Sequence, residues 1–169
     1  MTKMKNEQPQ LPDGWSGIRK AEASARTGWA YFGDLVKLLH KELGEEKTVA
    51  ILTDLMEANV KKYVERSLEV FGVEGNDPWS IATYFKLATG DIIGYKEELI
   101  QEAPNRVVYR LYPPCLWFPD LDIPPSFCEA LCMFEKAAAR LLNPRVKVST
   151  RSLMTRGDPY CENVFEEDK

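Results

Sequence analysis

Histidine is almost missing from this 169-residue chain: His40 is the single one, and the first 114 residues hold no cysteine. A zinc finger built on paired histidines is thereby excluded, and a Cys–His dyad has one imidazole to draw on. His40 sits in a helical pattern beside Lys41 and Glu42, where a surface or boundary place is the plainer reading. Excess positive charge is lacking too. Lys and Arg total 22 against 26 Asp and Glu, a net charge of −4, which argues against a nucleic-acid surface. No apolar run approaches the roughly 20 residues that span a bilayer, and MTKMKNEQPQLPDGW has no apolar core of a secretory signal. The expectation is a cytoplasmic protein that binds neither nucleic acid nor membrane. A Gly-rich phosphate loop, a G-x-S-x-G elbow and a nucleotide motif are all absent.

What is present suits an ordinary folded domain, with 44% hydrophobic and 28% charged residues. Residues 1–14 read as a flexible polar arm, and residues 15–169 as a single domain. Apolar positions recur at helical spacing over 25–43 (Trp29, Phe32, Val36, Leu39) and over 45–71 (Val49, Leu52, Met56, Val60, Val64), with Gly44 as the stop between them. Asp77 before Pro78 predicts an N-cap for a third helix ending at Gly90. The period then shortens to two. Strands are predicted over 92–102, 106–112, 145–155 and 160–166, with turns at Ala103–Arg106 and at Gly157–Pro159. PPCLWFPDLDIPP, with five prolines, is a loop, and a fourth helix runs from about Pro125 to Leu142. The sum is an α+β fold: a four-stranded antiparallel sheet made of two hairpins, packed with about four helices.

Chemistry concentrates late in the chain. Cys128, Cys132 and Glu135 stand at i, i+4 and i+7 and share one helical stripe. Cys161 opens the last strand, and Cys115 lies in the proline-rich loop. Reduced thiols are soft metal ligands and strong nucleophiles, so two uses stand open. Cys115, Cys128, Cys132 and Cys161 would be the ligands of a zinc site. Alternatively Cys128, in the first turn of the fourth helix, would be a nucleophile favoured by the helix dipole, with Cys132 behind it. A third reading makes all four small core residues. Glu135 and Asp158 are the favoured proton carriers among the nearby carboxylates, although Asp158 is equally ordinary turn chemistry. Trp117 and Phe118 are candidates for an apolar pocket wall.

The segment YRLYPPC through FCEALCMFEKAAARLLNPRVKVSTRSLMTRGDPYCENVFE resembles the L-2-amino-thiazoline-4-carboxylic acid hydrolase family, related to vinyl-4-reductase-like small-ligand-binding domains. The resemblance is carried by Cys115 after the first hairpin, Cys128 and Cys132, Asn143-Pro144, and the closing stretch from Arg151 to Phe165 with Gly157, Asp158 and Cys161. It covers about 70 residues well. It implies a small α+β domain and a hydrolase that opens a cyclic C–N bond, a thiazoline amidine, in a small carboxylate substrate. Under it, Cys128 or Cys132 attacks, directly or through water on a cysteine-bound metal, and Glu135 and Asp158 move protons. Arg110 or Arg151 holds the substrate carboxylate and Trp117 contacts the substrate. The alternative is a non-catalytic small-molecule or metal-binding domain of the same fold. The partner expected is a small molecule, with a homodimer also open.

Overall fold

The computed structural model describes residues 17–168; the arm expected over residues 1–14 lies outside them. Two long helices, α1 (Gly17–Leu43) and α2 (Glu45–Phe71), meet at Gly44. Its φ of +81° suits a residue without a Cβ, and its N–H bonds the His40 carbonyl at 2.9 Å. α3 (Pro78–Phe85) starts as the sequence predicts: Asp77 accepts from the Trp79 and Ser80 amides at 2.9 and 3.2 Å, with Pro78 at the first helical position. Gly90 does not end this helix. α3 passes into a π-helical turn over Lys86–Asp91, so β1 begins at Lys96, four residues later than the strand pattern predicts.

β1 (Lys96–Ala103) and β2 (Arg106–Tyr112) form the first hairpin, and β3 (Val146–Ser152) and β4 (Cys161–Glu167) the second. All pairs are antiparallel and the order is β1-β2-β4-β3, which places β2 and β4 side by side at the centre. The fold is the α+β arrangement expected. The fourth helix is two: α4 (Pro125–Leu131) and α5 (Met133–Leu142), interrupted at Cys132, where ψ opens to −5°. No proline or glycine announces this break, and hydrogen bonds still link Cys132 N to Cys128 O and Lys136 N to Cys132 O across it.

Strand alternation sorts the sheet into two faces. Tyr109, Leu111, Cys161, Asn163 and Phe165 turn towards the helices, while Arg110 and Glu162 turn away. One buried cluster joins the inner face to α2, α3 and α5 through Val64, Ile81, Phe85, Val107, Ala138 and Phe165. A second joins α1, α2, α4 and the proline-rich loop through Val36, Leu52, Phe118, Ile123 and Phe127.

Candidate functional site

Between these clusters lies a cavity of about 380 Å³, lined from both. Cys115, Cys128, Cys132 and Cys161 all face it, as does Glu135. The stripe expected on one helix therefore survives the interruption at Cys132. The loop over 113–124, with a cis Pro113–Pro114 bond, brings in Cys115 and Trp117. Trp117 stacks on Trp29 of α1 with ring centroids 3.8 Å apart, and both rings border the cavity. Gly33, one turn along α1, permits this approach, because a Cβ there would meet the Trp117 carbonyl oxygen at 2.6 Å. The Tyr95 hydroxyl pins the same loop by accepting from the Leu116 and Trp117 amides at 2.8 and 3.3 Å. Phe118, the other expected wall aromatic, is fully buried in the second core cluster instead.

The thiols are free and share the cavity, but they do not form a metal cage. Among the described residues no group of three or more His, Cys, Asp or Glu side chains is placed to hold a metal ion. The residues thus do not fit the zinc expected of Cys115, Cys128, Cys132 and Cys161. The thiolate expected at Cys128 is also opposed. Burial pushes its thiol up to about 12, and a seven-residue helix with no side-chain cap does not offset this. Burial likewise raises Cys161 to about 11 and Cys132 well above the ordinary thiol range. Cys132 accepts from Asn163 Nδ2 at 3.7 Å, and Cys161 from the Met154 amide at 3.3 Å.

Among the described residues that line the cavity, Glu135 is the one with a charged side chain. Burial lifts its carboxyl from 4.5 to about 7, against a smaller pull from its own backbone amide and from Lys136. It is half-buried and lines the cavity. The other expected site residues stand elsewhere. The Asp158 carboxylate accepts from the Leu153 amide at 2.8 Å beside Gly157 at φ +90°, the turn role that its neighbours suggest. Arg110 lies on the far face of the sheet, 2.7 Å from the buried Glu162 and 3.6 Å from Glu98. Arg151 binds Glu102 at 2.8 Å and Glu162 at 3.4 Å. Neither arginine lines the cavity, so the expected carboxylate clamp is not there. His40 packs edge-on against Phe127, with centroids 5.0 Å apart, also away from the lining.

The sequence reading missed much of the wall: Trp29, Tyr84, Tyr95, Tyr109, Asn163 and Thr89. Two of these had a signal. Tyr109 and Asn163 share strand faces with Leu111 and Cys161, at a spacing of two. A second half-buried carboxyl, Glu97, also has a raised value. Glu97 accepts from the Tyr109 hydroxyl at 2.5 Å, and burial raises it to about 8.

No family model matches the chain, and no curated protein matches it. A solved structure of similar fold is that of a trafficking protein particle complex subunit 3 from Naegleria fowleri covalently bound to palmitic acid. The TM-score is 0.67 at 11% identity, with 88% of this chain and 97% of that one covered. The likeness concerns the fold alone.

Proposed function

We propose that this chain is a small-ligand-binding domain that encloses an apolar molecule between its helices and its sheet. The observation that carries the reading is the cavity. It is about 380 Å³ and walled by Trp29, Trp117, Phe85, Leu131 and other apolar groups, with few polar atoms among them. Ligand pockets have this build, at roughly 300–1,000 Å³. A filled core would leave no such space, since protein interiors close-pack. The palmitic acid held by the subunit of similar fold supports an apolar occupant here. A cavity thiol could take an acyl chain from a thioester donor by thiol exchange, the donor's acyl–sulfur bond breaking and its thiol leaving with the proton. Native mass spectrometry of the purified protein, with and without hydroxylamine, and calorimetric titration with 1-octanol test the reading together. Expected is saturable binding of one octanol per chain, abolished when Ala88→Trp fills the space. A mass increment lost to hydroxylamine would identify a thioester. Absence of octanol binding by ligand-free protein refutes the reading.

The hydrolase reading keeps one supporting observation. Glu135, poised near neutral pH, shares the cavity with Cys128 and Cys132, and an acid–base group of that kind suits ring opening of a thiazoline amidine. The raised thiols and the outward-facing arginines weigh against it. Incubation with 2-amino-thiazoline-4-carboxylate and a thiol reagent decides the matter. Thiol release lost in Cys128→Ser, Cys132→Ser or Glu135→Gln supports hydrolysis; no release rejects it.

A further inference from the structure

The charges of the cavity wall narrow the ligand. Among the described residues that line it there is no Lys, Arg or His, and Glu135 is its single carboxylate. An anionic head group would enter without a counter-charge and would sit near a like charge. Elsewhere Glu162 is held by Arg110 and Arg151, and one oxygen of Glu97 takes the Tyr109 hydroxyl while its other oxygen has no partner. Glu135 has no such partner. Its hydrogen-bond donor is its own backbone amide, and among the described residues no other side chain bonds its carboxylate. A half-buried carboxylate in apolar surroundings without a partner is costly, so a site that retains one has a use for it.

The surroundings indicate which use. Glu135 acts electrostatically on Tyr84 and Tyr109. These two belong with Phe85 and Phe134 to a chain of rings whose centroids lie 5.0 to 6.4 Å apart, and all four border the cavity. Aromatic faces beside a carboxylate attract a cation by their quadrupoles and tolerate an alkyl chain by their surfaces. We propose that the ligand carries a cationic amine head that pairs with Glu135, and an apolar body that lies against the aromatic wall. The inference rests on the reading of the cavity as a ligand site, and it sharpens that reading by setting the sign of the head group.

The test uses octylamine, 1-octanol and octanoate, which share one chain and differ in charge, titrated calorimetrically into the full chain at pH 8. At that pH Glu135 is ionised and an alkylamine, with pKa near ~10.4 as for lysine, is still a cation. Expected is octylamine binding at least about tenfold more tightly than octanol, with octanoate weakest, as a desolvated charge pair requires. In Glu135→Gln the preference for amine over octanol falls to within about twofold, while octanol binding itself persists, because the variant loses the charge and keeps the shape. Octanol or octanoate binding as tightly as the amine overturns the inference. So does an amine preference that survives Glu135→Gln, since the amine would then be held by the acidic surface. Binding of octanol without amine preference removes only the head-group assignment, whereas binding of none of the three removes the ligand site as well.

Discussion

Replacing Glu135 with Gln should make the protein more stable, by an amount that grows as pH rises above about 4.5 and is complete above about 7. The carboxyl has an ordinary value of 4.5 and is held at about 7 by burial. Between those values the native state keeps a proton that the unfolded chain has released. Stability therefore falls as pH rises through this window and levels off above about 7. At about 1.4 kcal/mol per pKa unit, the loss is on the order of 3 kcal/mol at pH 8 relative to a neutral isostere. For a protein of this size that corresponds to roughly 6–12 °C in melting temperature. The other titratable groups near Glu135 do not interfere. Tyr84, Tyr109, Cys132 and Cys161 are all raised and stay protonated. Glu97 also loses its proton as pH rises, but it does so in both proteins and cancels in the difference. Urea unfolding followed by tryptophan fluorescence at several values from pH 4.5 to 8 measures the gap. It should open from near zero to about 3 kcal/mol. A gap that is constant with pH, or a variant less stable than the parent at pH 8, refutes the argument. A residue that weakens the fold and yet gives the cavity its charge has the profile of a functional group.

Other outcomes follow from the same geometry. Cys128, held at about 12, should alkylate with iodoacetamide at pH 7.5 at least about a thousandfold more slowly than after unfolding; peptide mass spectrometry reads this, and rapid native labelling would contradict it. Gly33→Ala should displace the Trp117 loop and cost about 1–3 kcal/mol, despite the better helix propensity of alanine, with a changed tryptophan emission as the sign. Replacing both Arg110 and Arg151 with Ala strands the buried Glu162 and should cost roughly 3–5 kcal/mol in urea unfolding while leaving octanol affinity unchanged. A loss of ligand affinity there would restore the arginines to the site.

Local chemistry was written plainly enough to read in advance. The Asp77–Pro78 cap, the stop at Gly44 and the placing of Tyr109 and Leu111 opposite Arg110 in β2 depend on neighbours a few residues away, and each stands where the sequence puts it. The spacing of Cys128, Cys132 and Glu135 likewise decided that they share a face. The π-helical turn after Phe85 and the break at Cys132 were not legible, because both are set by packing against other elements and carry no proline to mark them.

By itself, then, the sequence determined the order of helices and strands, the two antiparallel hairpins and the stripe that carries two thiols and a carboxyl. Tertiary structure decided what those groups are. Among the described residues no three metal-ligating side chains meet, and burial kept the thiols protonated. Strand alternation sent Arg110 to the far face of the sheet, where it and Arg151 pair with acids that also face away from the cavity. The late cysteines became part of the wall of an apolar cavity, with Glu135 as the lone charge among its described lining residues. Periodicity tells which side chains share a face; desolvation and the choice of partner, which set their chemistry, exist only once the faces have met.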